Sequence, residues 1–110
     1  FPILGPESEA AARLALAASK AGRFKAFHDA LFAAGRPTAE TLRAAAQAAG
    51  IPYGPPQEAE IEAELKRNFQ LAGQLGATGT PLFIVGDRVL NGAVGYEVLK
   101  KAIEDTRAKR

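Results

Sequence analysis

The stretch Gly76-Ala77-Thr78-Gly79-Thr80-Pro81-Leu82-Phe83-Ile84-Val85 decides how the rest of the chain is read. A helical pattern stops at Gly76, a glycine–threonine loop follows, and Pro81 opens a run of four apolar residues suited to a strand. Proline has no N–H to give to a ladder, so it belongs at the first residue of a strand and not within it. On the residues alone the Thr80–Pro81 bond reads as trans, because only about one X–Pro bond in twenty is cis in folded proteins. A cis bond there turns the chain sharply and leaves neighbouring backbone groups open to a visitor.

Outward toward the C-terminus, Gly86-Asp87 is a two-residue turn of the kind that closes a hairpin, and residues 88–90 return antiparallel. Asn91-Gly92 and Gly95 bend the chain into a last helix over about residues 96–108, with Leu99, Ala102 and Ile103 facing inward and Val98 beside them. A hairpin alone is marginal in water unless its apolar face is covered and its edges are paired. Leu82 to Val85 is apolar on both faces, as in a strand buried inside a sheet. The expectation is therefore that further strands belong before Phe1, or that the chain pairs with a copy of itself.

Outward toward the N-terminus, the longest helix covers about residues 57–75, with a stripe of Ile61, Leu65, Phe69 and Ala72. A proline–glycine turn at residues 51–56 precedes it. Before that, Thr38 caps a helix over about residues 39–49 that turns Leu42, Ala45, Ala46 and Ala49 inward and stops at Gly50. Another helix, about residues 23–34, carries Phe24, Phe27, Leu31 and Ala34 at i, i+3, i+7 and i+10. The first, from Glu7 to about Ala21, has acid at its N-terminus and places Ala10, Leu14, Ala17 and Ala18 on one face. Phe1 to Leu4 reads as the end of a strand whose beginning is missing. No repeat or low-complexity segment interrupts this order.

Composition narrows the function classes. With 47% apolar and 24% charged residues in 110, the chain is that of one folded domain and not of a disordered segment. Alanine supplies much of the apolar share, so the interior is thin and helix-rich. The net charge of +2 is spread along the chain apart from a short basic tail (Arg107, Lys109, Arg110), which excludes a nucleic-acid stripe. Cysteine and methionine are both absent, so no disulfide, cysteine-ligated metal or thiol nucleophile forms within this sequence. The missing methionine and the abrupt apolar start suggest an excised or processed piece. No apolar run reaches the roughly 18 residues of a membrane span, and no signal peptide is visible.

Three segments in order carry a resemblance: Phe1-Pro2-Ile3-Leu4-Gly5-Pro6-Glu7-Ser8, Ala26-Phe27-His28-Asp29-Ala30-Leu31, and Gly76 to Pro81. The chain resembles the C-terminal two-thirds of the DsbA-like thioredoxin-fold proteins, especially bacterial periplasmic members related to the suppressor-of-copper-sensitivity C proteins. The resemblance implies an α/β, partial thioredoxin-like fold. It assigns residues 1–4 to a strand end, 5–76 to a four-helix inserted domain, and 77–110 to a β-hairpin and C-terminal helix. It also implies that Pro81 is cis, that Gly79, Thr80 and Pro81 face the substrate, and that Thr80 meets the substrate backbone by strand-like hydrogen bonds.

Family members place a first strand, a helix headed by Cys-X-X-Cys, and a second strand before the point matching Phe1. The thiolate at that helix N-terminus attacks substrate disulfides. By this resemblance the parent is a periplasmic protein-disulfide oxidoreductase or isomerase with cysteine-containing protein or peptide substrates and a redox partner protein. It requires no cofactor or metal, and the chain without cysteines exchanges no disulfide by itself. Self-association through an exposed sheet edge is a further expectation. Two alternatives stay open: a fragment of a kappa-class glutathione transferase or isomerase, and a non-catalytic peptide-binding domain.

Other chemistry-bearing residues have blander readings. His28, the sole histidine, sits beside Phe27 and reads as a core-edge hydrogen bonder. Glu58, Glu60, Glu62 and Glu64 alternate, so successive ones do not share a helix face; the pairs four apart do, and these read as a solvated surface. Gly76 and Gly79 are read as serving backbone geometry, with Gly79 also keeping the approach to Pro81 open. Tyr53 and Tyr96 are placed near surface loops without a role.

Overall fold

The computed structural model describes residues 1–53 and 59–110. Seven elements follow in order: α1 (Pro6–Lys20), α2 (Phe24–Ala34), α3 (Ala39–Ala49), α4 (Ala59–Gln74), β1 (Leu82–Val85), β2 (Arg88–Asn91) and α5 (Tyr96–Ala108). The architecture is mixed α/β and mostly helical. The end of the turn at residues 51–56 and the start expected for α4, with Glu58, lie outside the described residues. Residues 1–4 carry no strand among the described residues, and Leu4 is 81% exposed. Among the described residues no helix is long and apolar enough to cross a membrane.

The chain divides into two compact units, Phe1–Asn68 and Phe69–Arg110, with the division falling inside α4. In the first, α2 packs against both α1 and α3. Its core is Ala11, Leu14, Ala18, Phe27, Leu42, Ala45, Ala46, Ala49 and Ile51, with Ala30 and Leu31 partly buried against it. Phe27 is fully buried and is the largest side chain in this cluster. Ile61 and Leu65 of α4 are also buried. Arg13 on α1 pairs with Glu62, and Lys20 lies 2.7 Å from Glu60, so two ion pairs tie α1 to the start of α4.

α3 forms as its sequence prescribes. Thr38 Oγ1 accepts the Thr41 N–H at 3.1 Å while Thr41 Oγ1 accepts the Thr38 N–H at 2.7 Å, a reciprocal capping box. All four residues assigned to its inner face are buried. α2 departs from expectation at two positions. Phe24 is 48% exposed and Ala34 is exposed, because the buried strip runs through Phe27, Ala30 and Leu31. Phe24, His28 and Phe32 instead stack along the outer face at spacings of four, with ring centroids 5.7 and 4.6 Å apart. In α1 it is Ala11, with Leu14 and Ala18, that is buried, while Ala10 and Ala17 are half-buried.

In the second unit β1 and β2 pair antiparallel, Leu82 opposite Asn91 and Val85 opposite Arg88. The two-residue turn has Gly86 at φ 62° and no positive φ at Asp87, the sign pattern of a type II′ turn. Side chains alternate, so Phe83, Val85, Arg88 and Leu90 share one face and Leu82, Ile84, Val89 and Asn91 the other. α5 packs on β1, and Arg88 reaches Asp105 at 3.8 Å across that contact. On α5 only Ala102 is fully buried; Leu99 is half-buried, and Ile103 and Val98, expected inside or beside it, are 41% and 44% exposed. A two-stranded sheet is too narrow to cover a wider helix face. Phe69, in the stripe expected on α4, is 44% exposed.

Candidate functional site

The loop from Gly76 to Pro81 is held at both ends. α4 terminates in a Schellman arrangement: the Ala77 N–H reaches the Ala72 carbonyl at 2.9 Å and the Gly76 N–H the Gly73 carbonyl at 3.1 Å, with Gly76 at φ 72°. That left-handed backbone is the reason for glycine at 76. At the far end the Gly92 N–H donates to the Pro81 carbonyl at 2.8 Å, extending the β1–β2 ladder by one pair. Between them stands Asn91, whose Oδ1 accepts the Thr78 N–H at 3.3 Å and whose Nδ2 donates to the Gly76 carbonyl at 3.5 Å.

The Thr80–Pro81 peptide bond is cis. Thr80 and Pro81 are exposed and Gly79 is half-buried, so the three candidate site residues lie together on one short loop. Gly79 is not demanded by backbone geometry: its φ lies outside the left-handed region, and a Cβ there would meet no atom within 4 Å. This corrects the first half of its sequence reading. Bonding of Pro81 toward β2 fixes the parity of the strand, since residues of an antiparallel pair alternate in the direction of their N–H and C=O groups. Leu82 and Ile84 therefore direct their backbone groups to the opposite edge of β1. Among the described residues no strand occupies that edge.

None of the three loop residues carries an ionisable group. What they can do is hydrogen-bond an extended backbone and pack against it. The ionisable groups with displaced affinities lie elsewhere. The Lys25 ammonium, and after it His28, hold the Asp29 carboxyl below its ordinary range, and Asp29 in turn raises Lys25. Lys20 lowers Glu60, and Glu62 followed by Glu9 raises the Arg13 guanidinium. These are solvent-screened pairs that favour the charged forms already present at neutral pH.

His28 is on the outer face of α2, its Nδ1 3.2 Å from Asp29 Oδ1, between the rings of Phe24 and Phe32 rather than at the edge of the core. Glu60 and Glu62 are engaged by Lys20 and Arg13, and Glu64 by Arg67. Tyr53 and Tyr96 are 43% and 73% exposed, and the Arg43 guanidinium lies 4.9 Å from the Tyr53 ring centroid. Among the described residues no three His, Asp or Glu side chains are grouped as metal ligands. Asn91 is the site-forming residue that sequence reading missed. Asn91-Gly92 was legible only as a bend, and its partners are 13 and 15 positions away.

A family model for the DSBA-like thioredoxin domain matches residues 2–104. Among solved structures, the chain is similar to a periplasmic thioredoxin-like protein from Salmonella enterica serovar Typhimurium, with 30% sequence identity and a TM-score of 0.87. That alignment covers 98% of this chain and 63% of the other, so the chain spans less than two-thirds of its structural relative. A comparison with curated proteins found no match. On a family match that runs through the helices, the loop and the hairpin alike, this chain belongs to the DsbA-like thioredoxin-domain family.

Proposed function

We propose that the chain is the substrate-facing portion of a DsbA-like thiol:disulfide oxidoreductase acting on exported proteins in the periplasm, with its redox cysteines supplied by sequence outside these 110 residues. Family membership over residues 2–104 carries this reading. The periplasmic relative and the exposure of Thr80 and Pro81 beside the edge of β1 that no strand occupies among the described residues support it. In this role Thr80 hydrogen-bonds the extended backbone on either side of a substrate cysteine and Pro81 packs against it. Gly79 leaves the approach open.

The test is titration of the chain with an extended peptide bearing an S-methylated cysteine, followed by amide NMR. Shifts are expected at Gly79, Thr80 and Leu82, and Thr80→Arg is expected to weaken binding about tenfold, or about 1.4 kcal/mol. Shifts confined to α1–α3, or none at all, overturn the reading. Equal affinity for a peptide with alanine at the cysteine position favours peptide binding without redox chemistry, a second reading that the absence of cysteine from the sequence supports.

The same edge, open among the described residues, with Ile84 52% and Val89 41% exposed on one sheet face, supports self-association of the isolated chain. Sedimentation from micromolar to millimolar concentration is expected to show a rising mean mass, and Ile84→Lys is expected to hold it at the monomer value. A monomer throughout for the unaltered chain refutes it.

A further inference from the structure

We infer that Asn91 is a positioning residue for the Gly79-Thr80-Pro81 loop. This deepens the peptide-binding reading above and rests on it. The loop leaves α4 through Gly76 and joins the hairpin at Pro81, and the segment between must be held if Thr80 is to present a fixed hydrogen-bonding edge. The Asn91 carboxamide is the side chain that holds it. One end of the amide accepts from the Thr78 N–H and the other donates to the Gly76 carbonyl, so a single planar group spans the start of the loop.

Asn91 is itself fixed. It is the last residue of β2, paired opposite Leu82, and the next residue gives its N–H to the Pro81 carbonyl at 2.8 Å. The strand that receives the end of the loop thus also supplies the side chain that steadies its beginning. The chemistry requires a carboxamide, since the contact needs an acceptor and a donor on one short side chain. Aspartate keeps the acceptor but sets a carboxylate against the Gly76 carbonyl. Alanine removes both. Holding a loop in its binding geometry raises affinity by lowering the ordering cost at the moment of binding, without adding a contact to the ligand.

The experiment combines amide hydrogen exchange with titration of the S-methylcysteine peptide for the unaltered chain, Asn91→Ala and Asn91→Asp. In Asn91→Ala the Thr78 amide is expected to exchange about tenfold or more faster while Phe83, Val85 and Leu90 keep their protection, and peptide affinity is expected to fall several-fold. In Asn91→Asp, Thr78 protection is expected to be largely retained, with affinity between the other two. Unchanged Thr78 exchange in Asn91→Ala overturns the inference, as does loss of protection throughout residues 69–110, which marks a general structural role. A freed Thr78 with unaltered peptide affinity also overturns it. Absence of peptide binding to the unaltered chain defeats the functional reading instead, and the exchange data still decide whether Asn91 holds the loop.

Discussion

Phe27→Ala is expected to destabilise the helical unit by about 3–5 kcal/mol, read as a lower urea midpoint in far-UV circular dichroism. Phe27 is fully buried where α2 meets α1 and α3, and its neighbours are mostly alanines and leucines anchored to helix backbones. Such a lining collapses poorly into a void, which puts the cost toward the upper end of the range for removing a phenyl ring. Against a total stability of about 5–15 kcal/mol for an ordinary domain, the loss leaves a substantial unfolded fraction. Phe24→Ala and Phe32→Ala on the same helix are expected to cost under about 1 kcal/mol each, because both rings lie on the solvent side. Equal effects at positions 24 and 27 would show that the buried face of α2 has been misassigned.

Gly86→Ala is expected to cost about 2–4 kcal/mol, from two causes that a double-mutant cycle separates. Gly86 sits at φ 62°, a left-handed conformation that charges an L side chain about 1–2 kcal/mol. A Cβ at Gly86 would also lie 2.8 Å from Thr106 Cγ2 and 2.9 Å from its Oγ1 on α5. Thr106 is not free to swing away cheaply, since its hydroxyl donates to the Ala102 carbonyl at 2.8 Å. Overpacking of this kind costs about 1–3 kcal/mol. In a Thr106→Ala background the clash disappears and the backbone strain stays, so the penalty for Gly86→Ala is expected to fall by about 1–2 kcal/mol. An unchanged penalty in that background would locate the whole effect in the turn.

How much of this was legible beforehand depended on whether several local signals agreed. At α3 the threonine cap, the apolar spacing and the terminal glycine all pointed to one answer, and Leu42, Ala45, Ala46 and Ala49 are buried as expected. The hairpin was equally clear, because two apolar runs flank a glycine-first turn of two residues. Periodicity locates the centre of a buried stripe but not its width. Phe24, Phe69, Ile103 and Val98, all placed in or beside a stripe, are 41–48% exposed. In the loop, residues 79–81 were marked by their own composition and by likeness to a family. Asn91 left no such mark, since its hydrogen bonds join positions that only folding brings together.

The preponderance of alanine inside the helical unit has a consequence for how its axes are set. Ala11, Ala18, Ala45, Ala46 and Ala49 have no χ rotamers to freeze, so burying them carries almost no side-chain entropy penalty. A methyl group is also a very short spacer, and helices that meet through methyls stand close, with their distance dictated by backbone and not by adjustable side chains. Replacement by any larger apolar residue must then push two cylinders apart along their whole shared length. The interior is thus permissive toward the ordering of its side chains and intolerant of their growth.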